Sequence, residues 1–181
     1  MAILPLVISP NPLLKEVSIE VNQIDKSVQK FMDDMVETMY QEKGVGLSAV
    51  QVGSLVRIVV MDVSYELGRC DEGHCGDSHA TNKNPIYMVN PKIIWSSKNL
   101  SSCHEGCLSF PEIRAEIKRP ATIEVEFLDY YGHKQTLKAE GLLATCVQHE
   151  IDHLNGITFV DYLSKMKREM LLKKMNKMLK S

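Results

Sequence analysis

Residues 148–156, QHEIDHLNG, constrain the fold of this chain more than any other stretch. They place His149 and His153 four positions apart, with Glu150 directly after the first histidine. Four positions on a helix bring both imidazoles to one face, at a spacing where they can hold a single metal ion. A catalytic metal centre of this type usually has three protein ligands. We therefore expect a helix over 141–155 that meets a third ligand from elsewhere in the chain.

The composition, 44% hydrophobic and 24% charged, predicts a single globular domain spanning residues 1–181. A formal net charge of −2 gives no overall attraction to nucleic acid or to an acidic membrane. The apolar start ILPLVI is short and interrupted by Pro5, which predicts neither a signal peptide nor a membrane span. The five cysteines are an odd number, and without a secretion signal they indicate reduced thiols in a cytoplasmic protein.

Hydrophobic periodicity predicts an α+β fold. Apolar residues over 25–43 repeat with a helical period, with Asn22 or Asp25 as the cap and Gly44 as the stop. The stretch VRIVVMD (56–62) has the pattern of a buried strand, and IEVEFLD followed by a turn and QTLKA predicts a hairpin over 123–139. Local strands between helices favour antiparallel β-sheets packed around the central HExxH helix, with an N-terminal and a C-terminal helix.

Residues 68–85, GRCDEGHCGDSHATNKNP, contain Cys70, His74, Cys75 and His79 among residues that favour turns. A second metal site is one interpretation, but the spacing of these residues matches no standard zinc module. We expect a solvent-exposed loop between strands instead.

Three interpretations of the missing ligand can be compared. A metzincin-type motif would continue to a third histidine, but that position holds Phe159, which cannot bind a metal. A downstream carboxylate would have to be Asp161, just beyond the helix, or Glu169, in a strongly basic segment, and neither is attractive. Upstream, Cys107 lies in the extended or turn segment EGCLSFP and would complete a Cys/His/His set. A free cysteine is more often a small buried hydrophobic residue, and the residues alone would favour that interpretation of Cys107.

Three segments resemble, in order, the signature motifs of the peptide deformylases: GVGLSAVQVG (44–53), EGCLSFP (105–111) and QHEIDHLNG (148–156). Similar stretches lie outside them, including ISPNPLLKEVS near the start and GITFVDYLS after the third motif. The resemblance covers nearly the whole chain apart from 68–85. It implies a metal-dependent hydrolase that removes the N-formyl group from formyl-methionyl nascent peptides and releases formate.

The resemblance also implies roles for individual residues. The family's metal ligands correspond to Cys107, His149 and His153. Glu150 corresponds to the general base and acid that takes a proton from water and passes it to the leaving amine. Gln51 and the backbone N–H of Leu108 correspond to the donors that stabilise the developing oxyanion.

A substrate cleft is implied as well. In the family the backbone at Gly46 pairs with the extended peptide, and Gly44 would allow a close approach. The apolar pocket for the methionine side chain corresponds to Val45, Cys103, Leu142, Thr145, Cys146 and His149. Such a pocket predicts a preference for methionine rather than exclusive selection. Arg114 matches an arginine beside the later substrate positions, and the alternative is a solvated charge on a strand.

Four positions depart from the common motifs. Ser48 stands where alanine is common, and Val50 where proline or threonine is common. Cys103 replaces a frequently aliphatic residue, and His104 replaces a frequently acidic one. These changes bear on the methionine pocket and on inhibitor fit rather than on the catalytic group.

The native metal implied by the resemblance is Fe²⁺, although a thiolate with two imidazoles also suits Zn²⁺, Ni²⁺ or Co²⁺. Two alternative functions stay open. One is a metallopeptidase that cleaves internal peptide bonds, against which Phe159 and the upstream Cys107 argue. The other is a non-catalytic protein that binds N-terminal peptides.

The C-terminal stretch 164–181 is predicted to be a basic helix. Its cationic residues are Lys165, Lys167, Arg168, Lys173, Lys174, Lys177 and Lys180. One interpretation, which some family members suggest, is docking on ribosomal RNA through phosphate contacts. The other is a solvated helix face with Met166, Met170 and Met178 packed inward. We expect a monomer with no membrane partner.

Overall fold

The computed structural model describes residues 2–64 and 83–179. Over these residues the chain has an α+β fold of antiparallel strands and long helices, as the periodicity predicts. The expected loop over 68–85 lies outside the described residues except for its last three positions, 83–85. No helix within the two described ranges is long and apolar enough to cross a membrane.

Helix α1 spans Lys26–Gln41, inside the predicted range 25–43. The carboxylate of Asp25 accepts two backbone N–H groups of the first turn, both at 2.9 Å, and so caps the helix. The end of the helix differs from the prediction, because the left-handed residue that follows it is Lys43, with φ of 56°, and not Gly44. The N–H of Gly44 instead donates to a carbonyl of the last helical turn at 2.8 Å.

Two antiparallel sheets make up the β structure. The main sheet consists of β1 Gly46–Ser48, β2 Ile58–Met61, β3 Ile86–Ser96, β6 Thr122–Leu128 and β7 Lys134–Glu140. Its order is β1-β2-β3-β6-β7, which leaves one edge of β1 unpaired within this sheet. A separate hairpin is formed by β4 Leu100–Cys107 and β5 Phe110–Pro120. The predicted strand at 56–62 and hairpin at 123–139 are confirmed, and β3 and the β4–β5 hairpin are additional to them.

Helix α2, Gly141–Leu154, carries both histidines and lies against the main sheet. Its apolar residues Val147 and Ile151 pack with Val59 and Val125 of the sheet in one core cluster. Each Å² of apolar surface buried in this way stabilises the fold by roughly 25 cal/mol. Ten of the 14 residues of α2 are buried, so the predicted central helix is confirmed.

Helix α3 spans Lys165–Met178 and is capped by Ser164, the residue at which the predicted helix begins. It packs on the β4–β5 hairpin through Leu171, Leu172 and Met175, which meet Phe110 in a second cluster. The apolar contacts of this helix therefore lie along one narrow stripe.

The prediction that Met166, Met170 and Met178 pack inward is wrong, because these residues are 81%, 60% and 43% exposed. Apolar residues occur on several faces of α3, and the leucine pair with Met175 forms the stripe that matches the buried face of β5. The exposed methionines remain among the lysines on the outer side.

Candidate active site

The donor that lies beside the two histidines is Cys107. Strand β4 ends at Cys107, and its Sγ atom lies 3.2 Å from Nε2 of His153. One donor atom from each of Cys107, His149 and His153 lies within 4.8 Å of the others. Asp161, a rejected candidate, accepts the N–H of Thr158 at 2.8 Å and is engaged in a local network. The geometry therefore favours the upstream cysteine, which the residues alone did not favour as a ligand.

This donor set fits a divalent transition-metal ion. A thiolate with two neutral imidazoles is a recognised combination that leaves a position open for water. Nδ1 of His149 donates to Oε2 of Glu105 at 2.8 Å, which leaves Nε2 to face the other donors. Both histidines are buried, so a bound ion would be shielded from solvent on the helix side.

The surroundings shift the pKa values of the two histidines in opposite directions. Burial alone favours the neutral ring of His149, but hydrogen bonds to Cys107 and Glu105 outweigh it and raise the pKa well above the ordinary value. Burial lowers the pKa of His153 well below the ordinary value, with the charge of His149 adding to the effect. A metal ion would occupy the place of the proton that His149 shares with Cys107, and His153 would meet it as a neutral ligand.

Glu150 lies on α2 beside these ligands and is only 4% exposed. Its Oε2 atom has no hydrogen-bond partner among the described residues. Burial raises the pKa of Glu150 to about 7, against the charge of His149, which lowers it. A bound cation would lower this pKa further, because an opposite charge favours the carboxylate. The carboxyl is thus placed to take up and release a proton near neutral pH.

Gln51 approaches the ligands from the short helical turn Ala49–Val52, which follows β1. Its Nε2 atom donates to Oγ of Ser109 at 3.3 Å and to Sγ of Cys107 at 3.4 Å. The side chain is 1% exposed, so its amide is held beside the cysteine. Leu108 follows Cys107 in the chain and is partly buried in the same region.

These groups open into a cleft of about 880 Å³. The residues that the resemblance assigned to substrate all line it: Gly44, Val45, Gly46, Cys103, Arg114, Leu142, Thr145 and Cys146. So do Gln51, Cys107, Leu108, His149 and Glu150. Gly46 has to be glycine, because a Cβ atom there would lie 2.6 Å from Sγ of Cys146 and 2.7 Å from Oε1 of Glu150.

Comparison with known proteins agrees with this geometry. A family model described as polypeptide deformylase matches residues 3–169. The chain belongs to the polypeptide deformylase family. The family's three motifs therefore correspond to elements that meet at one cleft: β1 with its following turn, the end of β4, and α2.

Individual deformylases match over the full length. The peptide deformylase of Rhizobium meliloti (strain 1021) is 46% identical over 181 residues, covering 100% of this chain and 97% of the relative. That of Bartonella henselae is 48% identical over 173 residues, covering 96% and 91%. The crystal structure of the Ehrlichia chaffeensis peptide deformylase in complex with actinonin has a TM-score of 0.88 and 42% identity, covering all of both chains.

A buried ionic network behind the ligands was not predicted from the family motifs. Nε and Nη2 of Arg119 donate to the two oxygens of Glu105 at 2.6 and 3.0 Å, and Nη1 donates to Asp152 at 2.7 Å. Hydrogen bonds to His149 and Arg119 outweigh burial and lower the pKa of Glu105, so its carboxylate is ionised. An ionised Glu105 requires the proton of His149 to stay on Nδ1, and this orients Nε2 for metal binding.

Phe159 also has a place in the site, although it cannot bind a metal. Its ring stacks on His149 with centroids 6.1 Å apart and an interplanar angle of 27°. It meets Phe110 edge to face at 5.5 Å, and Phe110 pairs with Cys107 in the hairpin register. The residue that interrupts the metzincin pattern therefore supports a ligand instead of replacing one.

Proposed function

We propose that this protein is a peptide deformylase that removes the N-formyl group from formyl-methionyl nascent peptides and releases formate. The observation that carries the proposal is the convergence of Cys107, His149, Glu150 and Gln51 on one cleft, with the buried His153 completing the ligand cluster beside it. Membership of the polypeptide deformylase family supports the same activity. The cluster lacks the downstream ligand of a metzincin, which argues against a peptidase that cleaves internal bonds.

The ion would be held by Cys107, His149 and His153. When bound, it supplies Lewis acidity, which polarises the formyl carbonyl and makes water acidic enough to deprotonate near neutral pH. We propose Fe²⁺ as the native ion, on the family resemblance, with Zn²⁺, Ni²⁺ and Co²⁺ able to occupy the same donors.

Glu150 would act as the general base and then the general acid. It lies one residue from His149 on α2, and its Oε2 atom is free of partners within the described residues. In the first step the carboxylate accepts a proton from the attacking water, and in the second it donates that proton to the leaving amine. A pKa near the working pH suits both steps.

Gln51 and the backbone N–H of Leu108 would stabilise the oxyanion. Nε2 of Gln51 already points to the side of the cleft where Cys107 lies. Donors fixed in this way cost no reorganisation when negative charge develops on the formyl oxygen.

The peptide would bind along the unpaired edge of β1, where backbone pairing at Gly46 needs no particular side chains. Its first side chain would enter the pocket lined by Val45, Cys103, Leu142, Thr145, Cys146 and His149. Arg114 is exposed on β5 opposite Gly106, so it could contact later residues of the peptide. The actinonin bound in the Ehrlichia structure suggests an inhibitor that should occupy this cleft.

The decisive experiment measures metal content and formate release together. Protein loaded anaerobically with Fe²⁺ should bind one ion per chain, release formate from a formyl-methionyl peptide and leave casein intact. Cys107→Ser should lose both the ion and the activity. Cleavage of casein would favour a metallopeptidase, whereas metal binding without formate release would favour a non-catalytic peptide-binding protein.

The iron assignment predicts sensitivity to oxygen. A ferrous ion with a thiolate ligand exposes both to oxidants, and a sulfenate on Cys107 could be trapped by Cys103 or Cys146 as a disulfide. Aerobic handling should inactivate the iron form, and Co²⁺ or Ni²⁺ should protect it. Mass spectrometry should find oxygen or a disulfide at Cys107. If the zinc form equals the anaerobic iron form and peroxide leaves Cys107 unchanged, the native ion is not iron.

Docking on the ribosome is the partner interaction we propose for α3. Its lysines are exposed, and its apolar contacts with the rest of the chain lie along one stripe. A basic outer face can bind ribosomal RNA phosphates while the cleft stays accessible. Such a protein would act in the cytoplasm as a monomer on emerging formylated chains.

A further inference from the structure

Ser48 is a polar residue at a fully buried position, with 0% of its side chain exposed. It ends strand β1 and directly precedes the turn Ala49–Val52 that carries Gln51. Burying a hydroxyl costs free energy unless it is hydrogen-bonded, so its partners indicate its role. Ser48 is also one of the positions where this chain departs from the common first motif.

Ser48 supplies two hydrogen-bond donors, and both bind the same atom. Its hydroxyl donates to Oε1 of Gln51 at 2.8 Å, and its backbone N–H donates to that oxygen at 2.9 Å. A carbonyl oxygen has two lone pairs, so these two donors saturate it.

The saturated oxygen decides which way the amide of Gln51 faces. With Oε1 held by Ser48, the Nε2 group is the end that points at Ser109 and Cys107, at 3.3 and 3.4 Å. A reversed amide would set its NH₂ group against two donors and turn an oxygen towards the metal ligands. The backbone N–H alone would hold Oε1 by one bond, and the hydroxyl supplies the second.

Ser48 does not line the cleft itself, so its hydroxyl acts on the site through Gln51.

We propose that Ser48 is a positioning residue, whose hydroxyl fixes the amide of Gln51 with Nε2 directed at the developing oxyanion. This inference rests on the role given to Gln51 in the proposed function. Ser48 touches no reacting atom itself, so its removal should affect turnover only through Gln51.

Threonine and valine at position 48 give a matched pair of variants. They have nearly the same shape, so any packing strain is shared, and only Ser48→Thr keeps the hydroxyl. Relative to Ser48→Thr, Ser48→Val should lower kcat about three- to tenfold, the range expected for one hydrogen bond, with KM unchanged. Rates are normalised to bound Co²⁺, so that a variant that merely folds or loads poorly does not register as slow.

A double-mutant cycle then separates positioning from general packing. Gln51→Ala alone should lower kcat by about 10²–10³-fold, as loss of one oxyanion donor does. In the Gln51→Ala background, the threonine and valine variants should have equal kcat, because no amide remains to be positioned. If Ser48→Val does not fold, Ser48→Ala, which adds no atoms, takes its place with the unchanged protein as its reference.

The possible results are distinct. Equal kcat for Ser48→Thr and Ser48→Val in the protein that keeps Gln51 overturns the positioning role. So does a loss in Ser48→Val that is as large in the Gln51→Ala protein as in the protein that keeps Gln51. Full activity of Gln51→Ala instead overturns the proposed role of Gln51 itself. Failure of the unchanged protein to release formate would reject the proposed function as a whole.

Discussion

Helices α2 and α3 have the same length, 14 residues, but opposite environments. Ten residues of α2 are buried, whereas Met175 alone is buried among residues 165–178 of α3. Helix α2 packs on the main sheet, whereas α3 packs mainly on the β4–β5 hairpin. The ionisable groups of an enclosed helix interact strongly with one another and can therefore take part in catalysis. Those of an exposed helix interact mainly with water.

The two helices also differ in what their charges can do. On α2, burial raises the pKa of Glu150 to about 7, and Asp152 forms an ion pair with the buried Arg119 of β5. On α3, the exposed lysines are screened by solvent and salt, so they can attract a polyanion but not steer a proton. Matched substitutions on the two helices can test this contrast.

Glu150→Gln should have the largest effect. It removes proton transfer while keeping the shape of the side chain, so kcat should fall by about 10²–10⁴-fold with the metal still bound. In the unchanged enzyme, kcat/KM should fall as the pH drops through the pKa of Glu150, because only the carboxylate accepts a proton. The bound cation places that pKa below about 7.

Glu169→Gln is the matched control, since it makes the same chemical change on the exposed helix. It should leave formate release and its pH profile unchanged. Near-normal turnover of metal-replete Glu150→Gln would reject the role of Glu150 and remove the functional contrast between the helices.

Met175→Ala should have the next largest effect, on stability. Met175 is 1% exposed, and truncating such a core side chain costs about 2–5 kcal/mol in the free energy of unfolding. Met170→Ala, on the exposed side of the same helix, should stay within about 0.5 kcal/mol. Urea denaturation of both variants measures the difference. Equal effects would mean that α3 does not pack through the stripe described above.

The outcome for α3 shows where sequence patterns stop being informative. Apolar residues at 166, 170, 171, 172, 175 and 178 surround the helix, so periodicity does not select one face. The buried face is chosen by β5, whose residues alternate between exposed and buried along the strand. For α2 the pattern was sufficient, because two histidines at helical spacing have to share a face and the motif identifies them.

The candidate site shows the same division. The spacing of His149 and His153 predicted their common face, and the family motifs predicted Cys107, which the residues alone did not favour as a ligand. The partners of Glu105 were not predictable in this way, because Arg119 reaches it only through the pairing of the hairpin and His149 only through the docking of α2. Contacts between distant segments depend on tertiary packing, which local patterns do not contain.

Glu105→Gln should weaken metal binding by about 10–100-fold, the usual cost of losing a partner that orients a ligand. An amide no longer requires the proton on Nδ1 of His149, and it removes one of the two ion pairs of the buried Arg119. Competition with a chelator for Co²⁺ measures the affinity. Glu116→Gln, on the exposed face of the same hairpin, should bind Co²⁺ like the unchanged protein. If the two variants bind equally, the buried network does not act on the metal site.

Neutralising the outer lysines of α3 should have the smallest effect on catalysis and a specific effect on RNA binding. Truncation of the helix would uncover the stripe of Leu171, Leu172 and Met175, so substitutions are the cleaner test. The triple variant replaces Lys165, Lys173 and Lys177 with Gln and spares Lys174, which lines the cleft. Turnover of short formyl peptides should be unchanged, because none of the three replaced lysines lines the cleft.

Binding of the triple variant to ribosomes should weaken, and the salt dependence should weaken with it. Each lost phosphate contact lowers the slope of log K against log salt by about one, so three contacts predict a fall of up to about three. Replacing Lys92, Lys98 and Lys134, exposed lysines of the main sheet and its loops, changes the net charge equally and serves as the control. If both triple variants co-sediment alike, the attraction is a general charge effect and α3 is not the docking surface. If only the α3 variant is released by salt, the exposed helix binds the ribosome while the enclosed helix performs the chemistry.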